Sequence, residues 1–190
     1  DGVFAFAITL LVLGIVLPAM QHPGEAELRR SLVALWPNVV AYALSFGVIG
    51  IMWQNHHALF RLIPRVDRKT IALNLMLLAG TVFIPFATVT LGTYPTMHAS
   101  TFLYGIVLTY CAILYNAILH YSIARKAFDE SVPSAVPAAT RRAYLVGLAG
   151  YAAATLLALW IPVASFAAYI AIAIYYLVPR GVDEDRAERD

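Results

Sequence analysis

Residues 2–20 read GVFAFAITLLVLGIVLPAM, a run of nineteen positions without one ionisable side chain. Wound as an α-helix, that run is about 28 Å long at ~1.5 Å per residue, close to the ~30 Å hydrocarbon thickness of a bilayer. It is too long for the apolar core of a signal peptide and has no basic leader before it, so it reads as a membrane span, in a chain that starts without Met and looks trimmed. The rest of the sequence carries the same signature. Of 190 residues, 61% are apolar and only 13% charged, with a mean hydropathy of +0.74, against about 45–50% and about 25% in soluble domains. The chain is therefore expected to be an all-α, polytopic membrane protein, which excludes a soluble enzyme and a nucleic-acid binder.

Working outward, five further apolar blocks follow, over 31–60, 70–91, 97–124, 143–160 and 163–178. Gln21, His22, Pro23 and Gly24 turn the chain after the first block, and Trp36 sits where an interfacial anchor belongs, with Pro37 tolerable in a first helical turn. Pro85 is expected to kink the third block unless neighbours satisfy the carbonyl it frees. The Pro- and Ser-bearing stretch 126–142 reads as the one long loop. Six spans, 1–178, then form the transmembrane domain, and 179–190 a charged, solvated tail. Cys111 is the only cysteine, so no intrachain disulfide is possible.

Charge placement orients the chain. Eleven of the thirteen Lys and Arg fall in the second-to-third connection (Arg61, Arg65, Arg68, Lys69), the fourth-to-fifth connection (Arg125, Lys126, Arg141, Arg142) and the tail, leaving Arg29 and Arg30 on the other side. By the positive-inside rule both termini are expected in the cytoplasm.

Polar groups inside spans require a reason. The densest set is Trp53, Gln54, Asn55, His56 and His57, with Asp1 and Asn74 at a similar depth. These residues are expected to form an interhelical hydrogen-bond network in which Asp1 pairs with His57 or His56, and Asn55 and Asn74 complete it. A proton relay is the other use of such histidines. A metal site is not expected, because adjacent histidines point about 100° apart on a helix, and no nucleophile motif or phosphate loop appears, so neither enzyme activity nor a cofactor is expected.

The run from Asp1 to Leu13, together with Trp53-Gln54-Asn55-His56-His57, closely resembles the bacterial branch of the transmembrane protein 175 family of potassium channels, and the resemblance extends over essentially the whole chain. That family opens its first helix with Arg-x-x-x-Phe-Ser-Asp; Asp1 matches the final position, and the preceding ones are absent here. The resemblance implies a homotetramer of six-helix subunits in the cell membrane, with potassium ions passing along a central pore lined by the first helix. It also implies that Thr9, eight positions after the motif Asp, faces the pore and contributes to ion preference. At 100° per residue Phe6, Leu10, Leu13 and Leu17 fall within a sector of about 60°, with Thr9 at its edge and Asp1 roughly opposite. With the resemblance, this face is expected to form the hydrophobic constriction from Phe6, Leu10 and Leu13, although the family usually carries an aliphatic residue where Phe6 stands.

Periodicity alone does not separate a pore face from a lipid-facing or packing face, since the helix is apolar all round. The Thr-Val-Gly-Tyr-Gly filter is missing, so side chains must supply any selectivity. A small proton-coupled secondary transporter lacks visible inverted repeats, and a non-conducting scaffold would use the Ala/Gly-rich residues 147–173 as packing surface; both remain as alternatives.

Overall fold

The structure is a computed structural model that describes residues 1–20, 24–129, 132–133 and 135–177. The charged tail, 179–190, lies outside the described residues. Their only regular elements are helices: α1 (Gly2–Leu11) with a 3₁₀ turn (Val12–Gly14), α2 (Glu25–Ala34), α3 (Trp36–Arg61), α4 (Arg68–Thr93), α5 (His98–Ala124), α6 (Ala135–Leu157) and α7 (Pro162–Leu177). α3, α4 and α5 are each long and apolar enough to cross a membrane, whereas α1 with its 3₁₀ turn and α7 are shorter apolar helices.

Three of the boundaries that differ from the sequence reading trace to proline. The first block does not continue to residue 20: the α-helix ends at Leu11, the 3₁₀ turn at Gly14, and Ile15 leaves helical geometry at ψ 89°. Pro18 accounts for this, since its ring would collide with the carbonyl four residues back and holds the residue before it extended. The block over 31–60 is two helices, because Pro37 has no amide to give Val33, and a helix restarts cleanly with proline in its first turn. Lastly, 126–142 is not all loop. Pro137 lies in the first turn of α6, where its missing amide costs nothing, and Arg141 and Arg142 are helical. Pro85, by contrast, sits inside α4 without ending it.

α3, α4 and α5 form the spine, with α1 laid on α3 and α4 and the α6–α7 pair closing the other side against α5 and α3. The core is apolar except for a buried relay that ties the spine together: the Tyr104 hydroxyl lies 3.0 Å from Ser45 Oγ, Ser45 Oγ lies 2.7 Å from Thr88 Oγ1, and Thr88 Oγ1 donates to the Ile84 carbonyl at 2.8 Å. Each of these three hydroxyl protons has an acceptor, which is what hydrocarbon surroundings demand. Gly80 lets α4 and α5 approach, for a Cβ there would stand 2.7 Å from the Tyr110 ring and 2.9 Å from Cys111 Sγ.

One end of the bundle is basic and pinned. Asp67 caps α4, accepting from the Thr70 amide (2.9 Å) and hydroxyl (2.7 Å), and also accepts from the Tyr121 hydroxyl (2.7 Å) and pairs with Arg125 (2.9 Å). Those hydrogen bonds, led by the Thr70 hydroxyl, and the adjacent guanidinium hold the Asp67 carboxyl well below the usual carboxylate range. Lys69 lies 4.5 Å over the Tyr121 ring. The α3–α4 turn and the end of α5 thus meet at one end of the bundle.

Candidate functional site

α1 is the apolar helix on which the sequence reading centres, and its two sides have different surroundings. Phe4, Ala7 and Leu11, spaced i, i+3, i+7, are 1%, 0% and 2% exposed against α3 and α4. On the opposite side Phe6 is 71%, Leu13 69% and Leu10 38% exposed, and Thr9 is exposed beside them. The three expected constriction residues therefore share one bare stripe. Thr9 Oγ1 donates to the Phe6 carbonyl at 2.9 Å, which fixes its proton inward and leaves the oxygen lone pairs outward.

The polar set near the basic end is brought together differently from the expectation. Asp1 pairs with Trp53, not with His56 or His57: the indole Nε1 donates to Asp1 Oδ1 at 2.9 Å. An indole N–H can only donate and a carboxylate only accept, so this pairing suits both groups. His56 turns instead toward α4, where Nε2 lies 2.7 Å from Asn74 Oδ1, and its ring stacks on Phe60 (4.5 Å) and tilts against Phe4 (5.2 Å). With an amide oxygen as partner, that imidazole nitrogen carries the proton. His57 is exposed with its ring 5.9 Å from Trp53. Asn55 belongs to neither pair and borders a hollow on another side of α3.

The expected single network is thus two pairs joined by ring packing, with Phe4 carrying α1 onto His56. Phe4 was not singled out by the sequence, nor was the Ser45–Thr88–Tyr104 relay; the signal available for the relay was hydroxyls at mid-span on three helices. Among the described residues no three His, Cys, Asp or Glu side chains gather where a metal could sit.

Comparison with known proteins bears on this arrangement. The family model described as endosomal/lysosomal potassium channel TMEM175 matches residues 1–85, from α1 through Pro85 of α4. A potassium channel of Streptomyces collinus is 38% identical over 181 residues, covering 93% of this chain and 87% of that one. The chain belongs to the TMEM175 family. Another TMEM175 relative, a potassium channel of a Chryseobacterium species, is 32% identical over 178 residues, 94% of this chain and 85% of its own. The crystal structure of a lysosomal potassium-selective channel TMEM175 homolog from Chamaesiphon minutus superposes with a TM-score of 0.85 at 31% identity, covering 94% of this chain and 92% of that one. The membership, the helical fold and the membrane character agree with one another, and the TMEM175 relatives are named as channels rather than transporters.

Proposed function

We propose that this TMEM175 chain is a potassium-preferring cation channel of the cell membrane, assembled as a homotetramer with both termini in the cytoplasm and the 179–190 tail on that side. The observation that carries this reading is the bare apolar stripe of α1. A single chain offers no closed path, and symmetry-related copies of one exposed helix face are the economical way to build one. Four copies of Phe6, Leu10 and Leu13 then form stacked dry rings, about 6 Å and 4.5 Å apart along the axis, that close by dewetting and open when slightly widened. Thr9 lends its outward lone pairs to a passing cation. The Asp1–Trp53 pair and the Phe4 ring packed on His56, itself paired with Asn74, hold the inner end of α1 against α3 and α4 and act as a latch, not as ligands for the ion. The positive end defined by Arg61, Arg65, Arg68, Lys69, Arg125 and Lys126 faces the cytoplasm under the positive-inside rule.

Potassium flux from proteoliposomes, with and without an opposed proton gradient, tests the reading. A channel passes potassium down its own gradient whatever the proton gradient. Flux that follows protons would make the protein a transporter, and an assembled protein with no flux a scaffold.

A further inference from the structure

Two hollows meet along α3, away from α1. One is a trough between α3 and α7 whose wall is aliphatic apart from the bare backbone at Gly47. The other, smaller, lies nearer the basic end, where α5 and α6 complete the wall. Ile51 borders both, so they form one seam from Val40 to Asn55, about 22 Å at ~1.5 Å per residue.

The chemistry changes along that seam. The trough offers only apolar contacts, while the inner hollow is ringed by hydroxyls and an amide. Some of these are committed: Tyr115 donates to the Met52 carbonyl and Tyr176 to the Ala143 carbonyl, each at 2.5 Å. The Asn55 amide and the Tyr151 hydroxyl border the hollow and have no protein hydrogen-bond partner among the described residues. Among the described residues, no Asp, Glu, Lys or Arg lines either hollow. Unpaired donors inside a bilayer are costly, so they call for an acceptor from outside the chain. That acceptor must be uncharged, since nothing there would balance a carboxylate or phosphate, and it must carry a long apolar part to fill the trough.

We propose that the α3–α7 seam holds one acyl chain of a membrane glycerolipid, its ester carbonyl accepting from Asn55 and Tyr151. Asn55 lies six residues, about 9 Å, from Arg61 at the basic end of α3, which puts the ester a short way below that leaflet's headgroups. Half of a ~30 Å hydrocarbon core is about 15 Å, so the seam accepts a whole chain, and Gly47, eight residues or about 12 Å from Asn55, lies within its reach. The site is independent of the conduction path along α1.

Native mass spectrometry of the full chain, reconstituted with a phosphatidylglycerol and phosphatidylethanolamine mixture and then stripped in detergent, tests it. A Cβ at Gly47 or at Gly50 meets no neighbouring atom within 4 Å; Gly47 borders the trough and Gly50 does not. Wild type and Gly50→Leu are expected to keep one lipid per chain. Gly47→Leu should cut occupancy at least tenfold, and Tyr151→Phe about fivefold, the worth of one hydrogen bond. Tyr151→Phe decides the matter alone if Gly47→Leu does not fold. Equal retention in all the proteins, equal loss in both glycine variants, or a retained mass that matches detergent would overturn the proposal. So would a smaller assembly in Gly47→Leu, since a neighbouring subunit would then be what fills the trough.

Discussion

On one side of α1, Phe4, Ala7 and Leu11 are packed against α3 and α4; on the other, Phe6, Leu10 and Leu13 touch little within the chain, though the residue types are the same. Hydrophobicity does not choose between these sides. What distinguishes them is fit: Ala7 is small enough for α1 to lie close to its neighbours, Phe4 reaches the His56 ring, and Leu11 is fully enclosed. A helix in hydrocarbon gains nothing by burying one apolar face rather than another, so shape and a few hydrogen bonds decide the choice. In the proposed tetramer the bare face is left to other copies of the chain.

The sharpest way to break this comparison is to put the same polar group on each side. Leu11→Asn places an amide in a fully enclosed apolar site and should cost more than about 3 kcal/mol, from lost packing and an unsatisfied amide. A thermal melt in detergent should register this as loss of folded protein. Leu13→Asn and Leu10→Asn should leave the fold nearly unchanged and raise single-channel conductance or open probability by wetting the ring. Should Leu11→Asn fold normally and conduct while the other two do not, the faces are assigned the wrong way round.

Next in size is the proposed latch, the Asp1–Trp53 pair. Asp1→Ala removes the acceptor of the Trp53 indole, a net loss of about 1 kcal/mol or roughly 2–4 °C. It should weaken assembly on size-exclusion chromatography and leave the potassium-to-sodium ratio alone. A stable assembly with altered selectivity would place Asp1 in the path.

Acid provides a control, because the strongest carboxylate anchor lies away from α1. Asp67 has a folded-state pKa far below its unfolded value near 3.8, so its contribution is present above that value and is lost as the pH falls below it toward the folded-state pKa. Melting temperature should therefore drop below about pH 4 in wild type and less steeply in Asp67→Asn. An identical acid profile in both would remove Asp67 as the anchor of the basic end.

The smallest effect is expected at Thr9, which stands at the edge of the bare stripe. Thr9→Val keeps shape and removes the lone pairs, so reversal potentials under potassium/sodium gradients should shift toward non-selectivity by a few millivolts to tens of millivolts, on the order of a change of one hydrogen-bonding group. No shift would mean that the hydroxyl serves only the Phe6 carbonyl.

Much of this was readable in the residues, with a physical pattern to what was not. The third, fourth and sixth blocks lie within about two residues of α4, α5 and α7, with Pro95 just past the end of α4, Arg125 and Lys126 past the end of α5, and Pro162 opening α7. The errors sit at Pro18, Pro37 and Pro137, where the question is whether a proline lies inside a helix or opens one, and that depends on the four residues before it. The 100° arithmetic put Phe6, Leu10 and Leu13 on one stripe and Leu11 off it. It had no means of telling which stripe would be bare, since neighbours decide that. Depth brought Asp1, Trp53, His56 and Asn74 to one level; the choice of Trp53 over His56 follows from the rotation of α3 relative to α1, which no residue list contains.

The shortness of α1 has a consequence for the accounting of its backbone. Ten α-helical and three 3₁₀ residues rise only about 21 Å, short of a ~30 Å core. Residues 16–20 follow as irregular chain. The amides of Val16, Leu17, Ala19 and Met20 find no partner among the described residues. Unpaired amides at that depth are not tolerated against lipid; they persist only beside water or another polypeptide. In the proposed channel, the outer continuation of α1 would therefore look onto a wet or protein-lined space, a requirement that comes from peptide groups alone and would hold for any side chains placed there.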